Sequence, residues 1–459
     1  MMNYFKFIYF IIIFIRYKLW AVFSEKDYES GLRLARALQK LGPAFIKLGQ
    51  TLSTRPDIIG SNVALALTKL QDNLPPFEYK FVEETFIKEF GVKPEYFFPV
   101  IERPAVAAAS IAQVHKVQAC GGKYYAVKIL RPNIDKIIDR DIKFFHWGAK
   151  KLEKYFPATR RLKPKSVIET FAEAMRLELD LRLEAAAASE LKDNLKDDLG
   201  IKIPEINWNV TSKRILTIEW VEGIPINDLN QLKEKGYNLK KIASNLAINF
   251  FNQAYRDGFF HGDMHPGNLF VDSDYNIVLV DFGIVGRLGK QTRIYVAEIL
   301  RGFLSRDYLH VAKIHFEAGY VPHDKCLFSF AQACRSIGEP IIGLPSNQIS
   351  VGKLLSQLFD ITREFDMETQ PQLLLFQKTL VIVEGVGTKL DPEVNLWSLA
   401  EPWIEKWAIQ NLGPEVKLRD GLLKLFDFMK KLPDILEEIS NKYENKKKKH
   451  EREQNYNYN

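Results

Sequence analysis

The residues best suited to chemistry lie in His261-Gly262-Asp263-Met264-His265-Pro266-Gly267-Asn268 and in Leu279-Val280-Asp281-Phe282-Gly283. Asp263 and Asn268 share a loop, and Asp281 closes a hairpin that follows it. Transfer of a phosphoryl group from ATP needs such a set. Mg²⁺ prefers hard oxygen ligands, here the Asp281 carboxylate and the Asn268 carbonyl, with nucleotide phosphates filling the shell. Asp263 is then left to face an incoming hydroxyl or water as the catalytic carboxylate. Taken singly, Asp263 and Asn268 are equally explained as turn residues and Asp281 as a helix cap. All three on one hairpin are better explained by the metal and the proton.

Two more features belong with this set. In Ala126-Val127-Lys128-Ile129 a lysine sits in an apolar strand, the type of residue that pairs with α/β-phosphates. By itself it reads equally as a snorkelling strand lysine. Its partner should be a helical glutamate, and Glu184 is the best candidate. The stretch between the two is longer than a protein kinase needs, so helices must be inserted there. A phosphate loop is expected just before the lysine strand. The sequence there is Val106, Ala107, Ala108, Ala109, Ser110, Ile111, Ala112, Gln113 and Val114, with no glycine. Alanine avoids the positive-φ regions that glycine uses and its methyl limits close approach. Backbone N–H groups and Ser110 are left to hold phosphate, on a stiffer loop. Without the other motifs this run would read as the start of an alanine-rich helix.

These residues need positioning elements. Residues 25–100 show helical spacing: Leu32, Leu34, Ala35, Leu38 and Leu41, then Phe45, Leu48 and Leu52, then Val63, Leu65, Leu67 and Leu70. Gly42-Pro43, Arg55-Pro56 and Pro75-Pro76 separate these helices. Gln113–Gln118 and Tyr124–Ile129 are strand-like, with Gly121-Gly122 making a hairpin between them. Residues 134–200 return to a helical pattern. Ile215–Val221 is a strand that stops at Gly223. Ile242, Leu246, Phe250 and Ala254 mark a helix ended by Gly258. Leu269–Val271 and Ile277–Val280 form the second hairpin, and the chain is mostly helical from Gln291 on. This order lacks regular β-α-β alternation and suits an α+β fold with a small sheet lobe and a helical lobe.

Length allows two or three domains, or one large bilobal enzyme. The chain has 459 residues, 46% of them hydrophobic and 26% charged, which excludes general disorder and allows a sizeable core. The three cysteines, Cys120, Cys326 and Cys334, exclude a disulfide framework, and the lack of a C-x-x-C pair excludes a zinc ribbon or thioredoxin-type site. They read as reduced, small hydrophobes in a cytosol-facing protein. A net charge of +7 is compatible with an anionic membrane surface and gives no reason to invoke nucleic acid.

The N-terminus is strongly apolar. Phe7–Ile15, at about 1.5 Å per residue, covers less than half of a ~30 Å hydrocarbon core. Extending the run to Phe23 places Arg16 and Lys18 inside it, at about 2.5–3.5 kcal/mol each. No small-x-small cleavage site follows Arg16. The expectation is a segment lying in the membrane interface, the competing one a helix docked on the protein itself. The run Lys446–Lys449 and the polar end read as a solvated tail, with weak binding to anionic lipid as the alternative.

Taken together, these residues resemble the UbiB-type atypical kinase family, also called ABC-one or ADCK-like. The resemblance covers about residues 30–400. It rests on Lys47-Leu48-Gly49-Gln50, Leu70-Gln71-Asp72 before Pro75-Pro76, the alanine-rich loop, Ala126-Val127-Lys128, Glu178-x-Asp180 with Glu184, His261 to Asn268, and Asp281-Phe282-Gly283. It implies an α+β, atypical protein-kinase-like bilobal fold with an N-terminal helical extension and inserted helices in the N-lobe. The corresponding segments are 1–23, membrane-associating; 24–100, the extension; 101–222, the N-lobe with its insertion; 223–410, the C-lobe; and 411–459, a C-terminal helix and lysine-rich tail. Lys47 and Gln50 would cover the site where a protein substrate docks, with Lys47 near Glu178 and Asp180 in a regulatory set. Residues 106–114, Lys128, Glu219 and Val221 would bind ATP, Asn268 and Asp281 would bind Mg²⁺, and Asp263, Lys128 and Glu184 would be catalytic. Implied further are ATPase or small-molecule kinase activity and support of ubiquinone biosynthesis at the polyprenylphenol hydroxylation stage. Partners would be membrane lipid or isoprenoid phenol intermediates and the biosynthetic enzymes, with a homodimer left open. The setting would be the cytoplasmic face of the cell membrane, peripherally or through an N-terminal anchor.

Three other functions compete. A phosphotransferase of aminoglycoside or choline kinase type shares the His-Gly-Asp…Asn arrangement but lacks the Lys47/Gln50 extension and the alanine loop. A flavin monooxygenase needs a dinucleotide fingerprint opening a β-α-β unit, and Gly385-Val386-Gly387 is not followed by the required glycine. A nucleotide-sensing scaffold without turnover would keep the same residues.

Overall fold

A computed structural model describes residues 4–20, 22, 27–53, 59–70, 74–155, 164–340, 361, 364–367, 370–394, 399 and 402–407. Arg55, Pro56, Gln71, Asp72 and the tail from 411 on, with its lysine run, lie outside the described residues. The chain divides into two compact units, residues 1–400 and 401–459. In the second, a helical stretch over 402–407 stacks Trp403 on Trp407 with ring centroids 6.4 Å apart. The first holds all the chemical motifs.

It opens with helices α1 (Tyr4–Arg16), α2 (Tyr28–Leu41), α3 (Pro43–Ser53) and α4 (Ser61–Leu67). Asp27 caps α2 by accepting from Ser30 N at 2.8 Å. Gly49 of α3 sits where a Cβ would come within 2.5 Å of Leu38 Cδ1 and 2.7 Å of Leu70 Cδ2. Any larger residue there would require Leu38 and Leu70 to shift. α1 docks on this bundle. Phe10 and Phe14 pack against the core, Ile13 is buried in it, and Phe7 meets Trp147 edge-on. The competing expectation, a helix docked on the protein, therefore describes one face of α1. Its other face leaves Ile8, Ile11, Ile12 and Ile15 exposed. Among the described residues no helix is long and apolar enough to cross a membrane.

α5 (Tyr79–Phe90) precedes a five-stranded antiparallel sheet of β1 (Val100–Ile101), β2 (Ala107–Ala108), β3 (Ala112–Gln118), β4 (Tyr124–Leu130) and β6 (Ile215–Glu219). Register sets Ala107 opposite Val114, Val114 opposite Lys128 and Lys128 opposite Leu216. Opposed residues share a face, so these four line one side of the sheet. On the other side Val117, Val127, Ile129 and Ile215 pack with Val82 and Phe86 of α5. The insertion between β4 and β6 is α6 (Ile134–Tyr155), α7 (Pro164–Glu178), α8 (Leu181–Asn194) and the short β5 (Ile201–Lys202).

The helical lobe contains β7 (Ile224–Pro225), α9 (Leu229–Glu234), α10 (Leu239–Phe251), β8 (Phe259–His261), β9 (Leu269–Val271), β10 (Ile277–Leu279) and β11 (Val285–Arg287). Helices α11 (Lys290–Leu304), α12 (Tyr308–Glu317), α13 (Leu327–Gly338) and α14 (Pro371–Leu390) follow. Two features differ from the sequence reading. The hairpin β9–β10 does not stand alone: β5 pairs parallel with β10, β7 pairs with β9, and β8 pairs with β11. These added strands are two or three residues long, too short for a period-two pattern to show. α10 also does not run as one regular helix to Gly258, because residues 252–257 form a π-turn. That wider turn buries Gln253, whose Oε1 accepts from His261 N at 3.0 Å. Gly258 then closes it at φ +68, where a Cβ would come within 2.5 Å of Leu288 O.

Candidate active site

The loop from His261 to Asn268 is held from several sides. His261 is fully buried. Asp263 N donates to its Nδ1 at 3.1 Å, so the proton sits on Nε2, which donates to Val280 O at 3.1 Å. Burial lowers its pKa, and the ring is neutral at pH 7. It joins the loop to the strand end that carries Asp281. Asn268 Nδ2 donates to Asp263 O at 3.0 Å and to Asp263 Oδ2 at 3.3 Å. Val280 N donates to Asn268 O at 3.0 Å, which sets Asn268 beside the residue preceding Asp281.

Asp281 adopts φ +62, a left-handed conformation that costs a side-chain-bearing residue about 1–3 kcal/mol. That conformation follows the end of β10 and brings Asp281 Oδ1 to 3.0 Å from Lys128 Nζ. The lysine also contacts both oxygens of Glu184, at 2.8 and 2.9 Å. Lys128 holds Asp281 well below the usual carboxylate range, and Lys47 adds to that effect. Burial pushes the Glu184 carboxyl up to about 7 against the opposing pull of Lys128, and the negative charge of Asp281 adds to the rise. Lys128 is itself raised: its two carboxylates outweigh the cost of its burial.

Glu184 is positioned by its own sequence. Glu178 ends α7, and Asp180 caps α8 by accepting from Arg182 N at 3.2 Å. Glu184 lies in the first turn beyond. Lys47 Nζ reaches Glu178 at 2.9 Å, while Asp180 is engaged and lowered by Arg182. Gln50 is half-buried one turn further along α3.

The alanine run is a tight hairpin. Ala109 N donates to Ala112 O at 2.8 Å, and none of residues 106–114 has a positive φ, which suits alanine rather than glycine. Arg131, absent from the sequence reading, clamps it by donating to Ala109 O at 2.8 and 3.0 Å. Val106 and Ala107 are exposed, Ala108 ends β2 and Ala109 leads into the turn, both half-buried. Ser110, Ile111, Ala112 and Gln113 are buried. Among the described residues the Ser110 hydroxyl has no partner, and the Gln113 amide exchanges bonds with Phe77 N and O at 2.8 and 3.3 Å. The Gln113 side chain thus serves the fold. Glu219 is opposite Tyr125, on the sheet face away from Lys128, and its carboxylate accepts from Glu205 N at 3.1 Å. Val221 follows β6 in the connection between the lobes.

Two residues missed in the sequence come from α14. Lys378 Nζ lies 3.4 Å from Asp263 Oδ1, and Thr379 Oγ1 donates to Gly262 O at 3.1 Å. They lie 115 or more positions from the loop they touch, and no local pattern marks them.

The donor set fits Mg²⁺ bound with a nucleotide. Asp281 is half exposed, and the bonds of the Asn268 amide to Asp263 run through its Nδ2, so the Asn268 atom that would ligate a metal is Oδ1. Among the described residues no cluster of three His, Cys, Asp or Glu side chains could hold a metal by itself.

Residues 69–315 match the ABC1 atypical kinase-like domain, and residues 334–395 match the UbiB helical domain. "Probable protein kinase UbiB" of Marinobacter nauticus is 40% identical over 423 residues, covering 91% of this chain and 76% of that protein. The protein of the same description from Vibrio atlanticus is 38% identical over 423 residues, with 91% and 78% covered. Among solved structures, the Rv3197–erythromycin complex from Mycobacterium tuberculosis superposes with a TM-score of 0.56 at 25% identity, covering 77% of this chain and 90% of that one. The kinase-like loop, the Lys128–Glu184 pair and the helical extension thus occur in a chain that belongs to the UbiB family of ABC1 atypical kinase-like proteins.

Proposed function

We propose that this protein is an Mg-ATP-dependent atypical kinase or ATPase that supports ubiquinone biosynthesis at a membrane surface. The observation that carries the reading is the bonding of Lys128 to both Glu184 and Asp281, with Asp263 and Asn268 on the adjoining loop. Bound Mg-ATP supplies the transferable phosphoryl group and neutralises charge on its oxygens. Lys128, steadied by Glu184, holds the α/β-phosphates. Asp281 and the Asn268 carbonyl are the metal ligands. Asp263, oriented by Asn268 Nδ2, takes the proton of the attacking hydroxyl or water. Neutral His261 keeps the loop and the Asp281 strand in register.

The relatives described as probable protein kinase UbiB support assignment to ubiquinone biosynthesis, and isoprenoid phenol intermediates and biosynthetic enzymes are the partners we propose with it. The outward face of α1, with Ile8, Ile11, Ile12 and Ile15 beside exposed Arg16 and Lys18, supports peripheral contact with an anionic leaflet. Phosphate release by the purified protein with Mg²⁺ and ATP, with and without anionic liposomes and a phenolic lipid-head analogue, tests the reading. We expect turnover that rises with both additions. Tight Mg-nucleotide binding without any turnover would instead establish a nucleotide-sensing scaffold.

A further inference from the structure

The catalytic loop itself brings no arginine or lysine: between His261 and Asn268 its side chains are acidic, neutral or histidine. Lys128 is committed to Glu184 and Asp281, and Lys47 is paired with Glu178. Among the described residues, a cation that faces Asp263 comes from elsewhere. It is Lys378, whose Nζ lies 3.4 Å from Asp263 Oδ1, with both side chains partly open, at 25% and 31% exposure.

Its placement is built into the helix packing. Phe376 stacks on Phe250 at 5.6 Å and 17° and meets Tyr255 and Phe260 edge-on. Thr379 is fully buried and donates to Gly262 O. A Cβ on Gly262 would come within 3.0 Å of Leu375 Cδ2, so the loop lies directly against α14. Leu375, Lys378 and Thr379 share one helical face, at i, i+3 and i+4. Two of them lock the face to the loop, and the third presents an ammonium with three donors, of which Asp263 uses one.

We propose that Lys378 is a catalytic residue that binds the terminal phosphoryl oxygens of the nucleotide as transfer proceeds. This rests on the phosphoryl-transfer reading above. In the step, the bond from the γ-phosphorus to the β,γ-bridging oxygen breaks and its electron pair stays on ADP. A new bond forms from phosphorus to the acceptor oxygen, and the acceptor proton passes to Asp263. Negative charge spreads over the equatorial oxygens, where a fixed cation stabilises the transition state more than the ground state.

The full-length chain and its Lys378→Ala, Lys378→Met and Lys378→Arg variants are compared by calorimetric binding of Mg·ADP with and without aluminium fluoride, which mimics the phosphoryl group in flight, and by turnover. We expect unchanged Mg·ADP affinity in all four. The alanine and methionine variants should lose the gain in affinity that aluminium fluoride gives, and kcat should fall about 10²-fold or more, with arginine recovering part of both. Wild-type trapping and turnover in the alanine and methionine variants would overturn the assignment and leave phosphoryl transfer standing. Equal losses of Mg·ADP affinity and melting temperature in those two variants would make Lys378 a packing residue, again overturning it. A wild-type protein that neither turns over nor gains affinity with aluminium fluoride would overturn the phosphoryl-transfer reading, and the role of Lys378 with it.

Discussion

Lys47 Nζ lies 2.9 Å from a Glu178 carboxylate oxygen, and this bond ties α3 of the extension to the turn that launches α8 and Glu184. Both side chains are largely buried, at 14% and 19% exposure, so removing one partner leaves the other poorly solvated. Lys47→Met should destabilise the protein by about 1–3 kcal/mol. Hydrogen exchange in α3 should rise more than exchange in α14. Equal protection of α3 in variant and wild type would show that the ion pair does not anchor the extension.

The two aspartates should separate binding from turnover. Asp281→Asn removes the proposed metal ligand and a partner of Lys128, so the thermal shift caused by Mg-ATP should vanish. Asp263→Asn should keep that shift and lose roughly 10²–10⁴ in rate, the contribution of a positioned base. The reverse pattern would exchange their roles.

Glu184 introduces a pH dependence. Its folded pKa is raised from 4.5 to about 7, so the carboxylate that holds Lys128 is lost as pH falls through about 7. kcat/KM should therefore drop on the acid side of about pH 7, and Glu184→Gln should be slow with that limb absent. Lys128 stays protonated throughout, its pKa being raised. A wild-type profile flat from pH 5 to 8 would contradict this.

The outward face of α1 can be changed without touching its docked face. Ile8, Ile12 and Ile15 are more than half exposed, at 54%, 53% and 59%. Replacing them with serine should reduce flotation with anionic liposomes while melting temperature and nucleotide binding hold. Flotation equal to wild type would place any membrane contact elsewhere.

Gly49 tests the close helix contact in the extension. Gly49→Ala places a methyl against Leu38 and Leu70, and overpacking of this kind costs about 1–3 kcal/mol. A melting temperature equal to wild type would mean that the two leucines give way freely.

Sequence alone determined much of this protein because part of its chemistry is local. Asp263 and Asn268 share one loop, Asp281 follows one strand, and Lys128 lies mid-strand, so each motif carries its own backbone geometry in a few consecutive residues. The length between Lys128 and Glu184 likewise announced the inserted helices α6 and α7. Tertiary structure decided the rest. Lys378 meets Asp263 across 115 positions, because stacking of Phe376 on Phe250 sets α14 against the loop. Arg131 reaches Ala109 because β4 ends beside the hairpin turn. The Glu219 side chain faces away from Lys128 because of strand register. One face of α1 is covered by the bundle and the other is not, although both are apolar. A pattern of residue types records which side chains can be buried or charged, but which of them meet is set by packing between elements distant in the chain.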